Sequence, residues 1–328
     1  MSLRTPLCDL LEIEHPILLA GMGGVSYAEL AAAVSNAGGY GVLGMAGTGP
    51  DFIREQMRQV RRLTDRPFGV DLLAATPDAL TASVDVIINE GASAFIAGLG
   101  VPTPILEKLH KAGLKVMVVC GAVKHAVKAE QAGCDAVICQ GGEGGGHTGL
   151  VGTLPLVGQA VDAVNIPVAA AGGISDGRGL AAALALGAQG VWMGTRFIAS
   201  EEAHAGAAYR QAILEAADED TVRTRCYSGK PMRVKKNPYV EDWESRPQDI
   251  QPFPMQAGIS IRNGAMGGIG GQIDGLDPDK SCFAMGQSAG GVHEVLPAAE
   301  IVARIMDQAE AAVARMAGLR AGVPAAAE

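Results

Sequence analysis

The sequence contains few aromatic residues and no long hydrophobic run. Aromatic residues make up 4% of the 328 positions, whereas hydrophobic residues as a whole make up 48%, so the core must be built mainly from Ala, Val, Ile and Leu. No apolar run approaches the roughly 18 residues that indicate a membrane-spanning helix. Residues 1–16 carry acids where a secretory signal has its apolar segment. We therefore expect a cytoplasmic protein that does not enter a membrane.

Paired cysteines and extended basic clusters are also missing. The six cysteines are scattered without a C-x-x-C pair, which argues against a zinc site and against a disulfide framework. The formal net charge is −9, and no Lys/Arg cluster stands out beyond residues 230–236. We therefore expect no bound metal and no nucleic-acid partner. Five of the six histidines have no metal-ligand partners at useful spacing and are predicted to be structural: His15, His110, His125, His204 and His293.

Eight short apolar runs recur along the first 200 residues, each followed by a segment with a helical pattern. The runs lie at residues 16–20, 40–44, 68–72, 94–98, 115–119, 135–139, 167–171 and 190–193. Continuous apolar runs without alternation are typical of strands that are buried on both faces. Eight alternations of strand and helix predict an α/β protein with a (β/α)8 TIM barrel, and a doubly wound sheet is the alternative.

The pattern predicts three segments of different character. Helices are expected between the strands, at residues 27–37, 51–63, 77–89, 103–112, 123–132, 154–164 and 178–186. Beyond residue 199 the periodicity changes, and we predict one further helix at 203–217. The predicted organisation is a barrel over residues 1–217, a cap over 218–290 that packs on the barrel mouth, and a closing helix and tail over 291–328. The closing helix, at about 296–317, offers a surface for a homodimer.

Glycine-rich loops follow four of the predicted strands. They lie at residues 21–24, 141–146, 172–173 and 194–195. The C-terminal strand ends of a barrel share one face, and active sites form there. Most of residues 139–149 (CQGGEGGGHTG) are glycine, and the stretch carries His147. This composition favours a backbone shaped around a bound molecule with one titratable side chain aimed at it, and a flexible surface loop is the alternative.

The loops after the seventh and eighth strands favour a phosphate site. Gly172 and Gly173 end one strand, and Met193, Gly194 and Thr195 end the next. In barrels these two loops frequently bind phosphate through backbone N–H groups. The sequence has no G-x-G-x-x-G directly after a strand and no G-x-x-x-x-G-K-[ST]. A single phosphate, as in FMN, therefore fits better than a dinucleotide or a nucleoside triphosphate, and tight turns without a ligand are the alternative.

An ordered set of motifs runs along the chain. The segments are PILLAGMGG at 16–24, ELAAAVSNAGG at 29–39, FGVD at 68–71, QGGEGGGHTG at 140–149, AAGGISDG at 170–177, GTRF at 194–197 and MGQSAG at 285–290. Together they resemble the nitronate monooxygenase family, closely over residues 16–197 and more loosely in the cap. The resemblance implies an FMN-binding (β/α)8 barrel that oxidises alkyl nitronates with O2 to a carbonyl compound and nitrite.

The resemblance also implies site residues. The cofactor-binding set is Gly21, Met22, Asp71, Gln140, Gly145, Gly172, Gly173, Met193, Gly194, Thr195 and Gln287. His147 matches the catalytic base for neutral nitroalkanes, and an imidazole suits proton abstraction near neutral pH. Two positions depart from the family. Asp71 stands where many relatives have asparagine, so an anion would face the flavin edge, and Gly144 replaces a common alanine.

A related activity on the same fold is the main alternative. NAD(P)H-dependent FMN reductases of enoyl thioesters, carried by acyl carrier protein or CoA, and reductases of quinones share the glycine–histidine loop. In that case NAD(P)H is a second cofactor, and residues 230–236 would receive phosphates of a CoA thioester or of NADPH; otherwise they are solvated surface. Glu143 either orients the His147 ring or is a solvated carboxylate. A barrel that only senses a metabolite is a third, non-enzymatic alternative.

Overall fold

The computed structural model describes residues 3–74 and 77–320. Its strands are β1 (Ile17–Leu19), β2 (Gly41–Gly44), β3 (Phe68–Leu73), β4 (Ala94–Gly98), β5 (Lys115–Cys120), β6 (Ala136–Gln140), β7 (Gly146–His147), β8 (Val168–Ala171), β9 (Gly190–Met193), β10 (Thr221–Thr224) and β11 (Met232–Lys235). Its α-helices are α1 (Pro6–Leu11), α2 (Ala28–Asn36), α3 (Pro50–Leu63), α4 (Pro77–Asn89), α5 (Thr103–Lys111), α6 (Val123–Ala132), α7 (Thr153–Ala163), α8 (Gly177–Ala185), α9 (Thr195–Ile198), α10 (Ala207–Leu214), α11 (Pro238–Glu244), α12 (Met255–Arg262) and α13 (Ala298–Arg320).

Eight parallel strands form a barrel. Their order is β1-β9-β8-β6-β5-β4-β3-β2, and a bridge between Leu18 and Tyr40 joins the two ends of the sheet. The Leu19 N–H donates to the Tyr40 carbonyl and the Tyr40 N–H donates to the Ile17 carbonyl, both at 2.9 Å. Each of the eight predicted apolar runs forms one strand. The (β/α)8 barrel is therefore confirmed, and the doubly wound alternative is wrong.

The barrel interior is filled by side chains of alternating size. Small alanines share this buried cluster with larger residues such as Tyr40, Met117 and Trp192. Helix α1, which the sequence analysis did not predict, adds Leu7 and Leu11 to the same cluster. Because α1 packs where β9 begins, its side chains close the N-terminal end of the barrel. The opposite end is left for a ligand, as in barrel enzymes generally.

The cap joins the barrel through a small antiparallel sheet, in the order β10-β11-β7. Strand β7 lies inside the loop between β6 and α7, and β11 pairs with it so that Met232 lies opposite His147 and Arg233 opposite Gly146. The cap has its own core, in which Tyr227 and Trp243 are buried. The segment predicted to pack on the mouth is thus hydrogen-bonded to the glycine-rich loop.

The closing helix packs along the barrel wall. Helix α13 lies against α8, and the side-chain oxygen Oε1 of Gln308 accepts a hydrogen bond from the Gly177 N–H at 3.0 Å. The helix predicted at residues 203–217 is shorter, because α10 covers only Ala207–Leu214. Residues 321–328 of the predicted tail lie outside the described residues. Within residues 3–74 and 77–320, no helix has the length and apolar character needed to span a bilayer.

Candidate active site

A cavity of about 910 Å³ opens at the C-terminal ends of the barrel strands. The end of β3 and the loops after β1, β2, β4, β5, β6, β8 and β9 form its barrel wall, and the cap contributes Ser228, Lys230, Met232 and Phe253. This volume is near the upper end of the range of about 300–1,000 Å³ that is usual for ligand pockets. The cavity therefore has room for a mononucleotide cofactor together with a substrate.

Ten of the twelve predicted site residues line this cavity. They are Gly21, Met22, Asp71, Gln140, Gly145, His147, Gly172, Gly173, Gly194 and Thr195. Two do not line it. The Met193 side chain is 1% exposed and packs in the core between strands and helices. Gln287 lines a separate, smaller pocket with Glu143 and Arg233.

Four backbone N–H groups are available at the ends of β8 and β9. Those of Gly172, Gly173, Gly194 and Thr195 donate no hydrogen bond to another described residue. Gly172 and Gly173 have φ of +94° and +74°, a conformation that glycine adopts without strain. The two strands are neighbours, so these amides face one region of the cavity. Unpaired amides grouped in this way suit a phosphate, and the donor set therefore fits that of FMN.

The Thr195 hydroxyl also holds the cap. Its oxygen accepts a hydrogen bond from the Gly286 N–H at 3.0 Å, and Gly286 lies in the MGQSAG motif of residues 285–290. A methyl group at Gly145 would come within 2.8 Å of the Gly286 nitrogen. The predicted phosphate region therefore depends on close contact between the barrel loops and the cap.

The Gln140 side chain shapes the glycine loop. Its amide nitrogen donates to the carbonyl oxygens of Gly145 at 3.2 Å and His147 at 3.1 Å. Its carbonyl oxygen has no hydrogen-bond partner among the described residues and is free to accept one from a ligand. A Cβ at Gly144 would lie 2.8 Å from the Gln140 amide nitrogen. Glycine at position 144 therefore leaves space for this Gln140 conformation.

His147 is held by the cap. Its Nε2 lies 2.9 Å from the Ser228 hydroxyl, and the following N–H, of Thr148, donates to the Pro231 carbonyl at 3.2 Å. Burial, and secondarily the positive charge of Lys230, lower the pKa of His147. Both effects disfavour the imidazolium form. The ring is therefore a neutral imidazole at neutral pH, which can accept a proton.

Glu143 does not orient His147. Its carboxylate accepts hydrogen bonds from the Thr153 N–H, at 2.9 and 3.0 Å, and from the Thr153 hydroxyl at 2.9 Å. Thr153 is the first residue of α7, so the acid satisfies an N–H at the start of that helix. The partner of the imidazole is Ser228, which the sequence analysis missed because it lies 81 positions further along the chain.

Asp71 is a buried acid at the cavity wall. Asp71 is 9% exposed, and a Cβ at Gly21 would overlap the Asp71 side chain. Burial raises the pKa of the Asp71 carboxyl well above its usual range. The sequence predicts an anion at this position, whereas burial favours the neutral acid.

Basic side chains stand at the cavity rim. His125 and Lys128 line the cavity from α6, and Lys230 lines it from the cap. Not all of the basic cluster at residues 230–236 is free surface, since Arg233 Nε donates to the Gly142 carbonyl at 2.8 Å. Across residues 3–74 and 77–320, no group of three or more His, Cys, Asp or Glu is arranged to hold a metal ion.

Comparisons with known proteins extend this description. The chain is 45% identical, over 75% of its length and 70% of the relative's, to (3aS,4S,5R,7aS)-5-hydroxy-7a-methyl-1-oxo-octahydro-1H-indene-4-carboxyl-CoA dehydrogenase of Mycobacterium tuberculosis. It is similar to the solved structure of FabK from Thermotoga maritima, with a TM-score of 0.89, 41% identity, and coverage of 96% of this chain and 99% of that one.

A nitroalkane oxidase is also among the similar structures. That protein, from Streptomyces ansochromogenes, has a TM-score of 0.85 and 29% identity, with coverage of 94% of this chain and 99% of its own. The family model described as nitronate monooxygenase matches residues 4–83 and 79–308, which is almost the whole chain. The protein therefore belongs to the nitronate monooxygenase family.

Proposed function

We propose that this FMN-dependent oxidoreductase acts on an acyl thioester of coenzyme A, and that His147 exchanges a proton with the substrate. The observation that carries the proposal is the position of Lys128, His125 and Lys230 along the rim of a cavity of about 910 Å³. The acyl group would enter the cavity, and the phosphates of CoA would remain at its rim. The 45% identity to a relative whose name specifies a carboxyl-CoA substrate supports this assignment.

The charge pattern favours CoA over a small nitronate. The chain as a whole carries a net charge of −9, yet Lys128 and Lys230 put two cations beside the same opening. Such a local field attracts polyanions and orients them. A small alkyl nitronate carries a single charge at its reacting end and leaves the rim without a ligand group. A CoA thioester would place its acyl group inside the cavity and its phosphates beside the cations at the rim.

The cofactor supplies the electron-transfer chemistry, and the protein supplies binding and orientation. The unpaired amides of Gly172, Gly173, Gly194 and Thr195 would bind the FMN phosphate. The free carbonyl oxygen of Gln140 would accept a hydrogen bond from the ring edge, and Gly21 and Met22 would lie along the ring. In this assignment Met193 contributes through its buried position in β9. Gln287, which lines a separate pocket, contributes only through the cap segment that contains Gly286.

The surroundings of Ser228 favour one tautomer of His147. The Ser228 hydroxyl donates to the Lys230 carbonyl at 3.2 Å and accepts from the Lys230 N–H at 3.2 Å. With its proton used in this way, the Ser228 oxygen accepts a further hydrogen bond from Nε2–H of His147. The unprotonated atom is then Nδ1, which would take a proton from solvent and pass it to an enoyl thioester during reduction, or take one from the substrate in the reverse direction. A lowered imidazole pKa keeps this atom available at neutral pH.

Oxidation of alkyl nitronates with O2 is the second candidate. The family model and the similarity to a nitroalkane oxidase favour it. The products would be a carbonyl compound and nitrite. A nitronate has already lost the proton that His147 would remove, so the residue would matter mainly for neutral nitroalkanes.

Anaerobic reduction of the holoprotein distinguishes the candidates. NADH, NADPH and propyl-2-nitronate are added in separate cuvettes, and flavin bleaching is followed by absorbance. The proposed function predicts bleaching by a pyridine nucleotide and recovery of the absorbance on addition of crotonyl-CoA without air. Bleaching by the nitronate alone, with nitrite appearing in air, would instead establish the second candidate. No exchange of electrons with either substrate class would contradict both.

The rim contact has its own test. Lys128→Gln is expected to raise KM for crotonyl-CoA about fivefold, since one partly exposed charge contact contributes about 1 kcal/mol, and to leave KM for crotonyl-pantetheine unchanged. Lys124→Gln is the matched control, because Lys124 is exposed on the same helix and does not line the cavity. An equal rise in KM for both thioesters would show that Lys128 does not bind the phosphates of CoA.

A further inference from the structure

We propose that Asp71 binds the flavin as a neutral carboxylic acid that donates its proton to an acceptor on the ring edge, and that ionisation of Asp71 weakens FMN binding. The inference rests on the FMN site described above. If Asp71 binds in this way, the affinity for FMN depends on pH through the ionisation of this one residue. It also gives a role to the acid that replaces the asparagine common in the family.

On the side that faces the barrel interior, Asp71 lies above buried side chains. Strand residues two apart point to the same face, so Asp71 lies above Gly69, where an added Cβ would meet Ile96 at 2.6 Å and Tyr40 at 3.0 Å. Both Tyr40 and Ile96 are fully buried inside the barrel. Among the described residues, no charged side chain is therefore found below the carboxyl, and its open side is the ligand cavity.

The carboxyl lacks the partners that the protein gives to other acids in the same fold. Glu143 accepts hydrogen bonds from Thr153, and Asp135 accepts one from the Val116 N–H at 2.7 Å and pairs with His110 at 2.9 Å. Within residues 3–74 and 77–320, no group donates a hydrogen bond to the Asp71 carboxyl. A buried carboxylate without donors is costly, whereas a neutral acid needs only an acceptor, and a bound flavin would provide one.

The elements packed against Asp71 bring no compensating charge. Strand β2 faces it with Gly44, strand β4 with Ile96 and Gly98, and the loop after β1 with Gly21. The other titratable side chains that line the same cavity are His125, Lys128, His147, Tyr209 and Lys230, and none forms an ion pair with Asp71 among the described residues. Burial alone therefore controls its ionisation, and raises its pKa well above the usual range.

The test compares wild type with Asp71→Asn. Asparagine keeps a donor of nearly the same shape and does not titrate. The dissociation constant of FMN is measured by quenching of flavin fluorescence from pH 5.5 to 9.5. For wild type, it is expected to rise up to tenfold per pH unit above the ionisation of Asp71. The ratio of the two constants isolates this residue, because the titration of FMN itself is common to both proteins. A ratio that stays constant across the range overturns the proposal.

The thermal stability of the two apoproteins gives a second readout that needs neither cofactor nor turnover. The pKa of Asp71 is higher in the folded state than its unfolded value of 3.8. Between the two values the folded state holds more protons, so its stability falls as pH rises. The Tm of Asp71→Asn should therefore exceed that of wild type by a margin that widens with pH above about 4. A margin independent of pH contradicts the neutral acid, whatever the enzyme's substrate proves to be.

Discussion

Ser228 controls His147 through a single hydrogen bond of 2.9 Å. Ser228→Ala removes the acceptor for Nε2–H, so Nδ1 is no longer fixed as the unprotonated atom. One such bond is worth about 1 kcal/mol, and we expect kcat to fall about five- to tenfold with KM for the thioester changed less than twofold. Ser228→Thr, which keeps the hydroxyl, is the control. Steady-state kinetics of the variants measures both constants. An unchanged kcat in Ser228→Ala would mean that the hydrogen bond has only a structural role.

Lys230 affects the same imidazole by charge. Burial is the main cause of the lowered pKa of His147, and Lys230 adds to it. Lys230→Gln removes a charge that opposes protonation, so the pKa of His147 should rise towards its ordinary value. The limb of the pH profile of kcat/KM that reports ionisation of His147 should move to higher pH. Lys128→Gln, which also removes a cavity-rim charge, should leave this limb in place, and an equal shift in both variants would contradict a specific effect of Lys230.

For individual site residues, the sequence was informative where the residues lie next to one another in a single motif. Glycines at the ends of four strands and His147 in one loop predicted part of the cavity wall. Proximity in sequence misled for Glu143, whose carboxylate turns to Thr153 and not to a ring four positions away. No local pattern could identify Ser228, because its role depends on the pairing of a cap strand with the barrel loop.

Packing of α13 on α8 requires a glycine at 177. A Cβ there would lie 2.1 Å from the Ile305 carbonyl oxygen and 2.4 Å from the Ala309 nitrogen, and backbone atoms cannot move aside as a side-chain end can. We expect Gly177→Ala to lower the free energy of unfolding by about 1–3 kcal/mol or more. Urea denaturation with a fixed m value measures the change.

Gly158 is the matched control on a neighbouring helix. It lies within α7, and a Cβ there meets nothing within 4 Å. Gly158→Ala should therefore stabilise the protein by about 0.5–1 kcal/mol, through helix propensity alone. Destabilisation of similar size in both variants would mean that close approach to α13 is not the cause.

The prediction of secondary structure succeeded for continuous apolar runs, which form the barrel strands, and for the periodic segments between them, which form helices. All eight barrel strands and the seven helices between them lie at the predicted positions, with no end displaced by more than one residue. Strands β7, β10 and β11 were not predicted, because their sequences GH, TVRT and MRVK contain no continuous apolar run and their pairing arises from tertiary contact. Helix α1 was missed since six residues are too few to establish a period.

Barrel and cap should unfold together. The cap contributes to the cavity and is hydrogen-bonded to the barrel through β11 and Thr195. A ligand at 100 times its Kd adds about 2.7 kcal/mol to stability. With an unfolding entropy of about 2.1 cal/mol/K per residue over 328 residues, this raises Tm by about 4 °C. Calorimetry of apo- and FMN-loaded protein should show one transition that shifts. Two transitions, of which only one responds to FMN, would contradict this coupling.

At the scale of the whole molecule, the order of secondary structure was enough to predict the barrel and the face that carries the site. The placement of the cap over that face was also predicted, but its mode of attachment was not. A hairpin from residues 221–235 completes a sheet begun by two residues of the barrel, and nothing in either segment alone specifies the other.

That attachment links two properties that enzyme engineering usually treats as separate. Exchange of residues 218–290 for the corresponding segment of a relative would replace the cap side of the cavity, where we propose that the substrate binds. It would also replace the hydroxyl that fixes the imidazole tautomer and the cation that depresses its basicity. A graft chosen to broaden substrate range would therefore bring with it a new pH optimum. Divergence within such a fold would be expected to change both traits together.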